Sequence, residues 1–378
     1  MKYTTSKEAD KKIEKDTEII KKIILRELSP KAIIFFGGFG HGEGSFIKNG
    51  KKITSLNDYD LYIITKNKID NKKLEDLGRE CSYALGRGGL EFVEEFNQIY
   101  DENNFFHVDL HSIAEKNLSK LYDTQRTFDL KTSLVIYGDK NILNRIPNVR
   151  IPKSDALRIL FNKINHLTLA EGNAKKIKSI YAIKGFTDLC SALLIFYGKY
   201  SSKFQDKEKD FLALNVPDEL KRCVSKAIKA KLYGGYDVEE VETFFNLSKK
   251  WVIWTLKKIL KEYVHIDEAD LSGICREAYI KLPYVYFNDY LKSKFLFPAQ
   301  YYLNIRFFLE GIRKGEFLIK SLLRWRDAGL IIALAMILYS VDEKKEAEKY
   351  LKKLTNNTSP LRDRILKLYS IYYLQKLI

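Results

Sequence analysis

Cysteine and proline are scarce in this sequence, and no cysteine stands close to another. The four cysteines, at positions 81, 190, 223 and 275, form no CxxC pair. That spacing excludes a zinc knuckle and a disulfide framework and is typical of reduced cytosolic thiols. Only seven prolines and 20 glycines occur, so long Pro- or Gly-rich linkers are excluded. The first residues, MKYTTSKEADKKIEK, are too polar for a secretory signal peptide. These absences predict a soluble cytoplasmic protein.

Long hydrophobic runs are also missing. The longest, at positions 329–338, is well short of the ~20 apolar residues that a membrane span requires, so we expect a buried helix there and no membrane partner. With 46% hydrophobic and 30% charged residues in a chain of 378, there is enough apolar material for a sizeable core. The length corresponds to two or three domains of ~100–200 residues each.

The positive charge is distributed unevenly along the chain. Residues 1–150 carry 25 Lys and Arg against 23 Asp and Glu, a net charge of +2. The rest carries 65−25 = 40 basic and 49−23 = 26 acidic residues, which accounts for +14 of the total of +16. A basic surface attracts polyanions such as RNA, nucleotides or acidic glycans. Because no short Lys/Arg block stands out, solvated lysines on helix surfaces explain the excess equally well.

The hydrophobic patterning divides the chain near residue 150. Before that point, period-two and short apolar runs predict strands at 32–36, 57–64, 90–100, 104–113 and 133–137, with helices at 6–28 and 70–84. A polar loop is expected from Ser45 to Leu56. After it, a 3.6-residue period predicts helices at 154–170, 175–198, 218–232, 238–262, 267–280, 297–314, 316–340, 343–354 and 360–377. We expect an α+β domain at 1–150 and a basic all-helical domain at 151–378, with a further division near 265–296 left open.

The most informative stretch joins a glycine-rich turn to a strand with two aspartates. The apolar run at 32–36 leads directly into Gly37-Gly38-Phe39-Gly40-His41-Gly42-Glu43, and the next strand carries Asp58 and Asp60. Alternation places these two carboxylates on one face of that strand. Two neighbouring carboxylates repel each other, and a bound divalent cation such as Mg²⁺ removes that penalty. Glycines let backbone N–H groups approach phosphates closely.

This arrangement resembles the DNA polymerase beta-like nucleotidyltransferase superfamily. Residues 37–43 are similar to the G-S-x-x-R-G-E form of the minimal nucleotidyltransferases, with Gly38 in place of the serine and His41 in place of the arginine. The segment Asn57-Asp58-Tyr59-Asp60-Leu61-Tyr62-Ile63-Ile64 resembles that family's S-D-x-D-L-hydrophobic strand. The resemblance covers roughly residues 30–140.

The resemblance implies a fold, a cofactor and a set of site residues. The implied fold is a nucleotidyltransferase-type mixed sheet with flanking helices, followed by the helical domain. The implied cofactor is Mg²⁺ or Mn²⁺, bound by Asp58, Asp60 and a third acid, and the implied substrate is an NTP, with ATP favoured. The implied nucleotide-binding residues are those of the glycine turn: Gly37, Gly38, Gly40, His41, Gly42 and Glu43.

Family members that catalyse need a third carboxylate on a neighbouring strand. The best match is Asp109, which lies between apolar residues in the strand predicted at 104–113. Alternation places His107 and His111 on the same face as Asp109, where each histidine either forms an ordinary hydrogen bond, as strand histidines more often do, or tunes the pKa of Asp109 or adds a metal ligand. The resemblance makes Asp109 a general base and shared metal ligand, with Asp101 and Asp129 as alternatives in more polar sequence.

Three functions are compatible with these residues. The leading hypothesis is an enzyme that transfers a nucleoside monophosphate, AMP by preference, to an acceptor hydroxyl and releases pyrophosphate. The acceptor stays open: a small molecule or sugar, a protein side chain and an RNA 3′ end all fit. The second hypothesis is a non-catalytic nucleotide-binding or scaffold protein, which the residues at Gly38 and His41 favour. The third is an antitoxin-like protein adenylyltransferase.

Overall fold

The computed structural model describes residues 1–49, 52–55, 58–86, 107–173, 175–233, 240–268, 270–292, 305, 309–315 and 328–373. The protein is α+β and 65% helical, with a small mixed sheet of four strands. By their contacts the residues form two compact units. The first comprises Met1–Ile151, Lys175–Ile183 and Lys199–Val241, and the second comprises Pro152–Ala174, Lys184–Gly198 and Glu242–Ile378. The first unit thus contains the segment 1–150 together with two segments from the predicted helical part.

The sheet of the first unit has the strand order β5-β4-β1-β6. Its strands are β1 (Ala32–Phe35), β4 (Tyr59–Thr65), β5 (Val108–Ala114) and β6 (Leu134–Gly138). Strand β1 runs antiparallel to β4 and β6, whereas β4 and β5 are parallel. The predicted strands at 32–36, 57–64 and 133–137 are confirmed, and 104–113 is confirmed over its described part. The strand predicted at 90–100 lies outside the described residues.

Helices cover the sheet and connect its strands. Helix α1 (Lys7–Glu27) begins at Ser6, whose side chain accepts a hydrogen bond from the Ala9 N–H, and ends before Pro30. The helices that follow in this unit are α2 (Gly37–Gly40), α3 (Asn71–Ala84) and α4 (Gln125–Lys131), with 3₁₀ helices at Glu115–Lys120 and Lys140–Arg145. The periodicity did not predict α4, because seven residues hold too few apolar positions to establish a period.

The predicted loop between Ser45 and Leu56 is wrong for most of its length. Strands β2 (Phe46–Asn49) and β3 (Lys52–Ser55) form an antiparallel hairpin in which Asn49 pairs with Lys52. The sequence contains a signal for it, since a two-residue loop between positions 49 and 52 favours glycine at its first position, as at position 50. Lys48 of this hairpin forms an ion pair with Glu8 of α1, so its side chain has a protein partner.

The first unit also contains two helices from the later part of the chain, α7 (Phe204–Leu212) and α8 (Asp218–Tyr233). Thr5 donates a hydrogen bond to the carbonyl oxygen of Leu232 at the end of α8 (2.9 Å), which ties the chain's beginning to this helix. The prediction of α8 at 218–232 is confirmed. Helix α7 was not predicted, because charged residues interrupt its apolar face.

All regular secondary structure in the described part of the second unit is helical. Its helices are α5 (Ser154–Ala170), most of α6 (Lys175–Phe196), α9 (Val241–Val264), α10 (Leu271–Lys292), α11 (Ala328–Ser340), α12 (Lys344–Leu351) and α13 (Leu361–Tyr373). Arg362 of α13 donates to the carbonyl oxygens of Thr168, Leu169 and Glu171, which lie at the carboxyl end of α5. Most of the predicted helix at 297–314 lies outside the described residues.

One described helix is long and apolar enough to span a membrane by length and composition. This stretch, Ile177–Phe196, is 89% buried within the protein over its apolar window. Burial of that extent is the environment of a core helix in a folded domain, and such helices commonly pass the same test. The apolar run at 329–338 lies in α11 and is buried from Ile331 to Leu338, as expected.

A buried group of ionisable residues in the second unit predicts that the free energy of unfolding of the protein depends on pH. Lys163 of α5 is 2% exposed, and its Nζ lies 2.7 Å from Asp188 of α6 and 3.5 Å from Nδ1 of His166. Burial, followed by the charges of Lys163 and Lys184, lowers the pKa of His166 well below its ordinary value. The folded protein therefore keeps this imidazole neutral at pH values where the unfolded chain binds a proton.

Stability from this group is present above the unfolded pKa of about 6.5 and is lost as the pH falls below it. Lowering the pH from 7 to 5.5 is expected to cost about 1 kcal/mol of unfolding free energy through His166. His166→Gln retains a hydrogen-bond acceptor but does not titrate, so its urea midpoint should fall less than that of the wild type over this range. Identical pH dependence in the two proteins would contradict the assignment. The comparison is needed because burial also lowers the pKa of His41 in the first unit.

Candidate metal and nucleotide site

The site begins where the parallel strands β4 and β5 start side by side. In their register, Asp60 lies directly opposite Asp109, and Tyr62 lies opposite His111. Tyr59 and Leu61 alternate with Asp60 and are fully buried in the core on the other face of the sheet. Because neighbouring residues of a strand point to opposite faces, Asp60 and Asp109 project together from the second face. The predicted alternation is confirmed, and the tertiary pairing brings both carboxylates into one site.

Asp60, Asp109 and His111 form a group with metal-ligand chemistry. One potential ligand atom of each residue lies within 4.8 Å of those of the other two. Nε2 of His111 is 3.3 Å from Oδ2 of Asp109, and the imidazole is buried. Two carboxylate oxygens and an imidazole nitrogen are a donor set that divalent ions such as Mn²⁺ accept. The set therefore fits the divalent cation that the sequence pattern predicts.

The electrostatics of Asp60 also favour a cation at this place. Burial, reinforced by the charges of Asp109 and Asp58, raises the pKa of Asp60 to about 7. The positive charge of Arg126 acts in the opposite direction and does not balance these effects. A carboxyl that is costly to ionise beside two other carboxylates is stabilised by a bound divalent cation.

Asp58 has a different environment from the other two acids. Its Oδ1 lies 2.9 Å from Nδ1 of His107 and accepts a hydrogen bond from the His107 backbone N–H at 3.2 Å. Burial alone would lower the pKa of His107, but the charge of Asp58, with smaller contributions from Asp109 and Asp60, raises it above its ordinary value. When protonated, His107 supplies a counter-charge to Asp58, while Asp60 and Asp109 face each other.

The glycine turn meets the carboxylates at Gly37. Gly37 follows β1, has a φ of +67°, and a β-carbon at this position would lie 3.5 Å from Oδ2 of Asp60. The left-handed backbone conformation favours glycine. The Phe36 N–H donates to the Asp60 carbonyl oxygen at 2.9 Å, which fixes the turn against β4. Gly37 is therefore the residue of the turn that lies beside the candidate metal ligands.

The remaining residues of the turn pack against the protein. A β-carbon on Gly38 would lie 3.1 Å from the Glu43 carbonyl oxygen, and one on Gly40 would lie 2.0 Å from that of Phe35. Gly42 has a φ of +77° and lies beside Lys2. The tight space at Gly38 gives a physical reason for glycine where the resemblance leads one to expect serine.

His41 and Glu43 hold the turn in place. Nε2 of His41 lies 3.0 Å from the Asp129 carbonyl oxygen, and burial lowers the pKa of this histidine. The carboxylate of Glu43 accepts hydrogen bonds from the backbone N–H groups of Phe204 and Gln205 at the start of α7. Glu43 thereby satisfies donors at a helix amino end that otherwise lack partners. Both side chains were predicted to bind nucleotide, and in this structure their contacts are with the protein.

Asp129, an alternative third acid in the sequence analysis, belongs to a separate network. It is 6% exposed and accepts hydrogen bonds from Gln125 (2.6 Å), Ser202 (2.7 Å) and Tyr200 (2.9 Å). This network joins α4 to the segment before α7. It gives Asp129 a structural role, whereas Asp109 lies in register with Asp60. Asp101, the other alternative, lies outside the described residues.

Sequence reasoning missed Arg126. This residue of α4 donates through Nε to the hydroxyl of Tyr62 and through Nη2 to Nε2 of His111, the latter at 2.7 Å. Tyr62 lies on the same face of β4 as Asp60, and burial raises its pKa to about 12. In the sequence, Arg126 stands four residues before Leu130, which is buried. This i,i+4 relation becomes informative only once helix α4 is known.

Comparison with protein-family models found no match, and a search of curated proteins found none either.

Proposed function

We propose that this protein is a metal-dependent nucleotidyltransferase that transfers a nucleoside monophosphate from an NTP, ATP by preference, to an acceptor hydroxyl. The observation that carries the proposal is the register of Asp60 with Asp109 on parallel strands, next to a glycine turn at the end of β1. Repulsion between these acids opposes folding, and a bound cation, which can also bind phosphates, relieves that repulsion. The resemblance of residues 37–43 and 57–64 to the superfamily supports the same reading.

Within this proposal, each residue has a chemical task. Asp60, Asp109 and His111 hold the divalent cation, with Asp58 as a further carboxylate beside them, and a bound cation supplies charge neutralisation for the triphosphate. Gly37 presents no side chain toward Asp60, which leaves room for phosphate oxygens. Asp109 accepts the proton of the acceptor hydroxyl. The hydroxyl oxygen bonds to the α-phosphorus, the α–β bridging bond breaks, and pyrophosphate leaves with that electron pair.

A label-transfer assay tests this function. Each α-labelled NTP is incubated with Mg²⁺ or Mn²⁺ and with separate pools of RNA, protein and small metabolites. Label is expected in one pool and should be absent with the Asp58→Ala/Asp60→Ala variant. Metal-dependent binding of NTP without label in any pool would favour the non-catalytic nucleotide-binding protein. Label in the protein pool would favour the protein adenylyltransferase.

A basic depression on α8 supports a polyanionic acceptor, such as the 3′ end of an RNA. The depression measures about 450 Å³ and is lined by Leu212, Lys221, Arg222, Ser225, Lys226 and Lys229. Within the described residues, Lys221, Arg222 and Lys229 have no ion-pair partner. Neighbouring cations repel one another, and a run of phosphates relieves that repulsion. The depression belongs to the same unit as the acidic site.

Salt and charge reversal test the acceptor. Transfer to RNA is expected to fall at least tenfold between about 50 and 200 mM salt, because phosphate contacts release counterions. Lys226→Glu/Lys229→Glu should reduce transfer to RNA at low salt, while Lys66→Glu/Lys68→Glu, which makes the same change in net charge on exposed lysines after β4, should not. Equal activity of both variants, or transfer that is insensitive to salt, would point to a small acceptor.

A further inference from the structure

We propose that Arg126 binds the β- and γ-phosphates of the nucleotide, and therefore also the pyrophosphate product. This inference rests on the proposed function, because it assigns a phosphate contact within the same site. It concerns a residue outside the glycine turn and outside the aspartate motif. Its support comes from the contacts of Arg126, its position along the strands and a comparison with other arginines of the chain.

The guanidinium of Arg126 lies against two aromatic rings. Its central carbon is 5.6 Å from the ring centroid of Phe36 and 5.3 Å from that of Tyr62. Arginine only donates hydrogen bonds, so Nε2 of His111 accepts the one from Arg126 in the metal-free protein, and a cation bound to that nitrogen would replace this bond. The second acceptor is the Tyr62 hydroxyl. Among the described residues, no carboxylate is within ion-pairing distance of this guanidinium.

A partly buried guanidinium without a carboxylate partner is unusual, because removing a charge from water is costly unless another charge compensates for it. Elsewhere in the chain, the buried Arg364 is paired with Glu348. The more exposed Arg145 and Arg158 are paired with Glu115 and Asp155. The charges of Asp60 and Asp109 reach Arg126, yet no carboxylate of the described residues bonds to its guanidinium directly, so its N–H fork can take an anionic ligand. The planar fork of N–H donors matches phosphate oxygens in particular.

The position of Arg126 along β4 and β5 indicates which phosphates of the nucleotide it would contact. Its two acceptors, Tyr62 and His111, lie two residues beyond Asp60 and Asp109 on the same face of β4 and β5. Two residues along a strand correspond to about 6–7 Å. The reacting α-phosphate belongs beside Asp109, which accepts the proton of the attacking hydroxyl. The guanidinium, one strand repeat further on, is then placed for the phosphates that leave.

The test compares ligands that share the nucleoside but differ in their phosphates. Affinities for ATP, AMP and pyrophosphate are measured by calorimetry with Mn²⁺ present, for the wild type, Arg126→Met and Arg126→Lys. Arg126→Met is expected to weaken ATP and pyrophosphate binding by about 10- to 100-fold, in line with loss of a charged hydrogen bond, and to change AMP binding less than threefold. Arg126→Lys keeps the charge but not the fork and should give an intermediate loss.

Arg145→Met serves as the matched control, because it removes an arginine from the same unit that has a carboxylate partner. It should leave all three affinities unchanged. The thermal midpoint and the Mn²⁺ affinity of each variant report whether the fold and the acidic site are intact. Should Arg126→Met fail to fold, Arg126→Lys decides the question by its selective loss of pyrophosphate binding.

Two outcomes overturn the inference: unchanged ATP and pyrophosphate affinities in a folded variant, or an equal loss for AMP. If the wild-type protein transfers label, either result leaves the proposed function intact. Selective loss of pyrophosphate binding in a protein that never transfers label would support the role of Arg126 and count against the transferase. A wild type that binds Mn²⁺ but neither ATP nor pyrophosphate would contradict both.

Discussion

Asp60→Asn is expected to lower the Mn²⁺ affinity of the protein by more than about 100-fold and to raise the thermal midpoint of the metal-free form. The metal loses a charged ligand, and even substitutions behind the direct ligands cost about 10–100-fold. The folded protein loses a carboxylate that burial and two neighbouring acids make costly to ionise. At pH 8, where the wild-type group is charged, relief of about 1 kcal/mol corresponds to about 2–4 °C. Calorimetric Mn²⁺ titration and thermal unfolding in EDTA measure the two effects.

Substitutions of the other acids are expected to have graded effects on Mn²⁺ affinity. The order of these effects tests the folded arrangement, because the sequence motif does not rank the acids. Asp109→Asn should resemble Asp60→Asn, because the two residues are in register. Asp58→Asn should have a smaller effect on Mn²⁺ affinity, because His107 already compensates its charge. Asp76→Asn, an exposed residue of α3 that pairs with Arg79, is the control and should change neither property. Equal losses for Asp58 and Asp60, or a lower midpoint for Asp60→Asn, would contradict this description of the site.

Gly40→Ala is expected to destabilise the first unit by about 3 kcal/mol or more and to reduce Mn²⁺ affinity together with stability. A β-carbon at Gly40 would lie 2.0 Å from the Phe35 carbonyl oxygen, a backbone atom that cannot rotate away. Phe35 is the last residue of β1 and pairs with Leu61, the neighbour of Asp60. Any shift that relieves the clash therefore moves strand β1 or the glycine turn relative to the metal ligands. Urea unfolding and Mn²⁺ titration measure the two effects.

Gly86→Ala is the matched control for this substitution. Gly86 has a φ of +70°, and a β-carbon there would have no atom of the described residues within 4 Å. It should therefore cost only the conformational penalty of about 1 kcal/mol and leave Mn²⁺ affinity unchanged. A Gly40→Ala protein as stable as Gly86→Ala would mean that the turn does not pack as closely against β1 as the structure indicates.

The pairing of acids illustrates what local sequence reveals. Alternation along 57–64 and 105–113 is enough to place Asp58 and Asp60 on one face of their strand and Asp109 with both histidines on one face of another. That alternation does not reveal that β4 and β5 are parallel neighbours with Asp60 opposite Asp109. It also treats Asp58 and Asp60 alike, whereas the folded chain gives Asp58 a histidine partner and leaves Asp60 beside Asp109.

The role of the glycine turn shows the same limit. The motif indicates that the turn lies beside the aspartate strand, and the contact between Gly37 and Asp60 agrees with that. His41 and Glu43 have partners in α4 and at the start of α7, 88 and 161 residues further along the chain. No spacing within the motif predicts such partners, because they depend on where α4 and the segment 199–241 pack.

By itself, the sequence determined the helices and strands with sustained periods, the faces of the acidic strands and the need for glycine at the turn. These features depend on backbone geometry and on residues within a few positions of one another. The tertiary structure alone decided the strand order, the register of Asp60 with Asp109, the location of Arg126 between Phe36 and Tyr62, and the membership of α7 and α8 in the first unit. Each of these depends on contacts between segments far apart in the chain, where burial of apolar surface and satisfaction of charges across the whole fold, rather than local preference, select one arrangement.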